Sequence, residues 1–322
     1  MDNFLFAINA VIPLFLVVAV GYFVRAIRLV DDHFLEMANQ FCFKVALPCL
    51  LFKNIYTPGA ALGEFDPGLM VLPVVGTLAA ALLAWVLAPW MVRERAQAGV
   101  VVQGTFRSNF VLFGLPLVVN VFGPEAATPT SIVMAVVVPL FNVLSVIALT
   151  TLGPQDGPLA NQSRPDALKG ILWSILKNPF IIAVVIAVVF SVVRLPLPGV
   201  VTRVISDLGQ IATPLMLVVL GGQFKFQKVT ANRKPLMVTT LNKLVVVPGV
   251  MIVAAVLAGY RGAQLAPVFG VFATPTAIAS LVMANSMGGD GDLAGQIILV
   301  TTLFSVVTIV GFVFALRALG FA

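Results

Sequence analysis

The chain has 322 residues, of which 60% are hydrophobic and only 10% charged, with a mean hydropathy of +1.07 and a formal net charge of +6. Soluble domains carry about a quarter of their residues as charges, so a water-facing globule of this length is excluded. Apolar runs reach the roughly 20 residues a helix needs to cross the bilayer, and the alternating ten-residue segments of outer-membrane barrels are absent.

In chain order, hydropathy predicts spans near 4–24, 34–54, 68–91, 99–121, 126–151, 170–193, 200–223, 235–258, 265–286 and 292–317. The fold class expected is all-α integral membrane. The start Met1-Asp2-Asn3 has neither a basic n-region nor a small-residue cleavage site, so the first span is expected to be retained. Cys42 and Cys49 lie two helical turns apart, about 10 Å, too far for a disulfide, and read as packing residues. The longest polar break, Leu152–Leu168, divides the chain into 1–152, a cytoplasmic linker 153–169, and 170–322.

The basic residues distribute unevenly. With the N-terminus outside, eleven fall on one face (Arg25, Arg28, Arg93, Arg95, Arg164, Lys169, Lys177, Lys225, Lys228, Arg233, Lys234) and five on the other (Lys53, Arg194, Arg203, Arg261, Arg317). Lys44, Arg107 and Lys243 fall inside spans. Cytoplasmic loops carry the excess, so both termini are expected in the periplasm of a bacterial inner-membrane protein.

Prolines mark an internal repeat. Pro13 and Pro179 are 166 residues apart, as are Pro48 and Pro214, while Pro67 and Pro235 open the third span of each half. Val45-Ala46-Leu47-Pro48-Cys49-Leu50 parallels Ile211-Ala212-Thr213-Pro214-Leu215-Met216, and Pro139-Leu140-Phe141-Asn142-Val143 parallels Thr302-Leu303-Phe304-Ser305-Val306. Five spans per half put the second copy in the opposite orientation, an inverted repeat typical of secondary transporters.

The fourth and ninth spans carry Arg107-Ser108-Asn109 through Gly114-Leu115-Pro116 and Ala273-Thr274-Pro275-Thr276 through Ser280. Proline removes a backbone N–H and clashes with the carbonyl one turn earlier, so both spans are expected to break near mid-membrane. Matched breaks point to a midplane site, where half-helix N-termini favour an anion; ordinary proline kinks are the plainer reading. The candidate substrate-binding residues are Asn109, Gly114, Pro116, Asn142, Thr274, Pro275, Thr276 and Ser280, with Asn285 further along the ninth span. Amides in hydrocarbon also bond neighbouring helices, and hydroxyls back-bond to their own helix, so structural roles stay open for these residues.

Intramembrane ionisable residues are functional candidates by default. Asp207 and Lys243 form a candidate proton-coupling pair or a static ion pair; Arg107 either attracts a carboxylate or marks the cytoplasmic interface. Gly288-Gly289-Asp290-Gly291-Asp292 lacks the remaining ligands of a calcium loop and reads as a helix N-cap. One histidine, His33, and no nucleotide-binding loop leave no metal cluster, catalytic triad or ATP site to propose, and no cofactor is expected.

Val45-Ala46-Leu47-Pro48, Asn109 to Leu117, Lys177-Asn178-Pro179, Thr213-Pro214-Leu215 through Leu220-Gly221-Gly222, and Thr274-Pro275-Thr276, taken in order, resemble the auxin efflux carrier family in its bacterial form, within the group that includes bile-acid sodium symporters. The resemblance implies ten helices, crossed broken helices four and nine, elevator-type alternating access, and an organic anion such as malonate, malate or an auxin-like acid. Sodium-coupled relatives use acidic residues in the ninth span, and Thr274–Asn285 has none. The expected partners are the small anion, the bilayer, a proton or sodium ion, and a second copy in a homodimer; nucleic acid is not among them. A sodium symporter and a membrane-embedded ligand sensor without transport are the alternatives.

Overall fold

The computed structural model describes residues 2–56, 66–92, 94–153, 179–223 and 233–321. These are helical, in the order α1 (Asp2–Ala26), α2 (Asp32–Phe41), α3 (Leu47–Ile55), α4 (Gly68–Met91), α5 (Arg95–Phe106), α6 (Leu115–Phe122), α7 (Ala127–Leu152), α8 (Pro179–Val192), α9 (Gly199–Gly222), α10 (Arg233–Leu241), α11 (Val247–Leu257), α12 (Ala266–Phe272), α13 (Ala279–Ser286) and α14 (Gly291–Ala318). Seven helical stretches are long and apolar enough to cross a membrane: Asp2–Ala26, Asp32–Ile55, Gly68–Met91, Pro124–Leu152, Gly199–Gly222, Arg233–Leu257 and Gly291–Ala318. Of the other three expected spans, the fourth and ninth coincide with pairs of shorter helices, and the start of the sixth lies outside the described residues, as does nearly all of the expected linker. Exposed Leu82, Leu83, Val86, Trp90, Leu257 and Val307 form the apolar exterior that a bilayer requires.

Three of these helical passes are widened by a five-residue π-helical stretch: Cys42–Ala46, Phe110–Gly114 and Asn242–Val246. Each ends two residues before a proline, Pro48, Pro116 and Pro248. The cause is local. Proline cannot donate and its ring displaces the carbonyl one turn earlier, so the residue before it bonds one position further back, Leu47 to Cys42, Leu115 to Phe110 and Val247 to Asn242. The helix thereby continues through the proline, with αR backbone at the residue that follows each stretch. By contrast Pro13, Pro73, Pro89, Pro139 and Pro214 sit inside helices that continue through them.

The helices pack in two sets. The first comprises α1, α2, α3, α8 and α9, in which α1 lies on α9, and α3 lies on both α9 and α8. Gly21 faces the Val218 carbonyl and Gly221 the Val18 carbonyl so closely that neither position has room for a side chain. Arg25 near the end of α1 donates to the Gly222 carbonyl at the end of α9 at 2.6 Å, so the two helices run parallel and touch backbone to backbone. The second set comprises α4 to α7 and α10 to α14. The sets meet where α1 packs on α14 and α6, the latter joined by a 3.1 Å hydrogen bond from Asn120 Nδ2 to the Ala10 carbonyl, and where Phe15 packs on Phe113 with ring centroids 4.9 Å apart. They also meet where α3 packs on α7, with Asn54 Nδ2 donating to Ser131 Oγ at 3.1 Å and Thr128 Oγ1 to the Asn54 carbonyl at 2.6 Å.

Candidate functional site

The fourth and ninth passes are interrupted, and the interruptions meet. After α5 the chain unwinds over Arg107-Ser108-Asn109; after α12 it unwinds from Ala273 to Ile278. The two extended pieces pair antiparallel at Ser108 and Thr276, with Asn109 N–H donating to the Pro275 carbonyl at 2.7 Å and Ala277 N–H donating to the Arg107 carbonyl at 3.3 Å. Backbone groups freed from two helices thus satisfy each other, which is what lets non-helical chain exist deep in an apolar fold. The first break lies two turns ahead of Pro116, not at it. Pro116 instead lies inside the continuous helical pass Phe110–Phe122, where the π-helical stretch before it accommodates its missing N–H.

Gly114 makes this crossing possible. A Cβ there would stand 3.0 Å from the Gly270 carbonyl and 2.6 Å from the Phe110 ring. Gly270 is equally confined, with the Phe110 ring 2.8 Å from its virtual Cβ. Gly114 is thus a point of close approach between the two passes.

The two breaks differ in what they leave free. At the second, Thr274 Oγ1 donates to the Gly270 carbonyl at 3.0 Å, Thr276 Oγ1 to the Gly104 carbonyl at 2.8 Å, and the Thr276 N–H to Thr301 Oγ1 at 3.2 Å. Both hydroxyl hydrogens are thus committed to internal bonds. Ser280 is the exception: its Oγ is buried without a partner, while its carbonyl accepts from Gln103 Nε2 at 2.9 Å. At the first break, Ser108 Oγ and Asn109 Nδ2 are both buried without a hydrogen-bond partner. The N–H groups of Phe110, Val111 and Leu112 begin a new helix there, and such N–H groups have no acceptor within their own helix.

Arg107 is the charged group of this region. It is buried, at 6% exposure, and its guanidinium donates to Asn142 Oδ1 at 2.8 Å and to Ser145 Oγ at 3.1 Å, both on α7, and also reaches the Met283 sulfur on α13. No carboxylate pairs with it among the described residues. A buried guanidinium held by neutral acceptors is costly, because taking a full charge out of water is repaid only by a counter-charge or strong hydrogen bonds. Asn142 is thereby placed as the partner of Arg107. Ser145, three residues on along the same face of α7, was missed by sequence reasoning; the spacing of two polar residues in an apolar helix was the available signal.

The remaining candidates separate. Asp207 is exposed on α9 and Lys243 is fully buried in the π-helical stretch after α10, and no ion pair joins them. Their expected pairing is not what the structure contains: Asp207 lies in the first helix set and Lys243 in the second. Asn285 is exposed beside Gly291. Asp290 caps α14, as expected of the Gly-Gly-Asp-Gly-Asp segment, accepting from Leu293 N–H at 2.8 Å and from Gln97 Nε2 at 3.1 Å.

Comparison with known proteins identifies the family. The chain matches a family model described as "Membrane transport protein" over residues 6–313. It is 27% identical over 317 residues to a protein of Rhizobium meliloti provisionally described as a malonate transporter, covering 96% of this chain and 95% of that one. It is 21% identical over 311 residues to an uncharacterized transporter of Methanothermobacter thermautotrophicus, covering 95% and 97%. A match over nearly the whole chain, on a multi-pass helical fold, assigns transport rather than enzymatic chemistry: the chain is a member of this membrane transport protein family, the auxin efflux carrier family.

Proposed function

We propose that the protein is a secondary carrier of small organic anions, binding a substrate carboxylate at the first helix break. The observation that carries this reading is Arg107: a buried cation beside that break, bonded only to neutral acceptors, with Ser108, Asn109 and the N–H groups of Phe110 to Leu112 uncommitted nearby. A carboxylate supplies the missing negative charge and accepts from several donors at once, the interaction that such an arrangement rewards most. Asn109 and Arg107 are the principal contacts in this reading, with Asn142 holding Arg107 until substrate arrives. Ser280 is a secondary contact, and Pro116, Pro275, Gly114, Thr274 and Thr276 build the crossing. A relative described provisionally as a malonate transporter supports a small dicarboxylate, and the family itself supports aromatic acids of the auxin type.

The fuller architecture belongs to the same proposal. Ten spans form two inverted five-helix units, 1–152 and 170–322, joined by a cytoplasmic linker at 153–169, with both termini periplasmic in the inner membrane. The proline offsets and the eleven-to-five distribution of basic residues support it. Transport proceeds by the second helix set, which carries both breaks, moving against the first, as in an elevator. The separate packing of the two sets and their contact through Phe15, Phe113 and Asn120 support that division.

Purified protein in liposomes tests the function. Vesicles preloaded with unlabelled malonate, malate or indole-3-acetate should take up the labelled counterpart, and carboxylates should compete while neutral esters of the same acids do not. Saturable binding with no flux would identify a sensor, and flux of every acid that depends on a sodium gradient would identify the sodium symporter instead.

A further inference from the structure

Lys243 has no part in the carboxylate site, yet it is the most unusual charged residue in the molecule. It is 0% exposed, and its Nζ has no hydrogen-bond partner. An ammonium carries three donors and a full charge, and both are normally satisfied when such a group is taken out of water. The other lysine in a π-helical stretch, Lys44, is exposed, so this backbone feature does not itself bury a lysine.

Its surroundings tie it to the crossing. The stretch Asn242–Val246 packs against α5 and α14. Thr239, one turn earlier, lies against Gly104: a Cβ on that glycine would be 3.1 Å from Thr239 Cγ2 and 3.2 Å from Ile297 Cγ2 of α14. The Gly104 carbonyl accepts from Thr276 Oγ1 of the second break. Long side chains on a helix lean toward its N-terminus, which directs Lys243 toward Thr239 and Thr240. Both of those hydroxyl oxygens are buried without partners, as is Gln103 Oε1 on α5. The molecule therefore holds a buried amine in a region of idle acceptors, one turn from the layer where the two breaks meet. The charged residues on the elements around it are Arg95 at the start of α5 and Arg107 just beyond its end, Arg233 and Lys234 at the start of α10, and Asp292 and Arg317 at the two ends of α14; α11 and α4 carry none. None forms an ion pair with it.

We propose that Lys243 is the proton-coupling group of the carrier. On the side where the anion binds, the amine takes one proton from hydronium, releasing water. The ammonium, accepted by Thr239, Thr240 and Gln103, crosses with the anion and offsets its charge. On the other side it returns that proton to water, and the neutral amine travels back with the empty site. Arg107 keeps its charge throughout, so the anchor and the coupling group are separate residues. A buried group whose partners change between two states is suited to this exchange, since its protonation follows its surroundings. The assignment rests on the carboxylate-transport reading above.

The test uses the full chain in liposomes, with the membrane potential clamped by potassium and valinomycin, labelled malonate, malate and indole-3-acetate as probes, and a pH-sensitive dye inside. Wild type should carry protons inward with the anion, and an inward gradient should raise accumulation toward about tenfold per pH unit for one proton per anion. Lys243→Met and Lys243→Arg should lose gradient-driven accumulation while retaining exchange of labelled for unlabelled acid. Gradient-driven accumulation in Lys243→Met equal to wild type would overturn the proposal. So would wild-type uptake with no dye response, a result independent of whether either variant folds. Wild type that exchanges none of the three acids would instead overturn the transport reading, and the coupling role with it.

Discussion

The two helix breaks are built from similar residues, serines and threonines around a nearby proline, but the structure uses them differently. At the second, the Thr274 and Thr276 hydroxyls and the Thr276 N–H are consumed in bonds to Gly270, Gly104 and Thr301. At the first, Arg107 lies buried against neutral acceptors, and Ser108 and Asn109 keep buried polar atoms without partners. Unsatisfied groups of this kind are expensive, so a fold that satisfies one break and leaves its mate open has kept that expense in one place. In the proposed carrier the matching breaks divide labour: one fastens the crossing, and the other is the proposed anion site.

Substitutions at the two breaks should therefore separate binding from stability. The largest effect is expected for Arg107→Gln, which removes the charge while preserving hydrogen-bonding capacity. Charge-assisted hydrogen bonds contribute about 1.5–3 kcal/mol, so affinity for a carboxylate should fall roughly 10- to 100-fold and uptake should be lost, with the thermal midpoint unchanged or raised. Next is Asn109→Ala, expected to lower uptake about tenfold, one neutral hydrogen bond's worth, with little change in stability because its Nδ2 has no internal partner to lose. Gly114→Ala should act oppositely. The added methyl meets the Gly270 carbonyl, and overpacking of about 1–3 kcal/mol should lower the thermal midpoint measurably. Thr276→Val leaves the Gly104 carbonyl without its donor and should cost about 1 kcal/mol of stability while leaving the KM for uptake near wild type. Smallest is Thr274→Val, since a membrane hydrogen bond averages about 0.6 kcal/mol and this one only back-bonds to the end of the preceding helix. A raised KM in Thr276→Val, or a stability loss without a binding loss in Arg107→Gln, would erase the distinction between the breaks.

Much of this was legible before any coordinates. Proline positions marked the interrupted passes, and the polar residues around them marked the crossing, because both follow from local backbone chemistry. The location of the first break was not legible. Pro116 widens the helix before it, whereas the unwinding at Arg107–Asn109 is stabilised from far away by the Pro275 carbonyl. The pairing of Asp207 with Lys243 failed for a related reason: their placement in different helix sets is a tertiary fact that neither residue type nor spacing carries. Gly114 reads as a ligand contact in sequence and as a crossing point in space, since Gly270, whose carbonyl it meets, is distant along the chain. Ser145 is hard to single out because a serine in an apolar helix is common even three residues from Asn142, and only the Arg107 side chain joins the two.

The most direct test of the account is a binding titration of malonate, with malate and indole-3-acetate alongside, into purified wild type, Arg107→Gln and Thr276→Val. Saturable binding to wild type and Thr276→Val, weakened at least about tenfold in a folded Arg107→Gln, is the predicted result. Equal affinity in all three would contradict it, and would move the anion away from the first break.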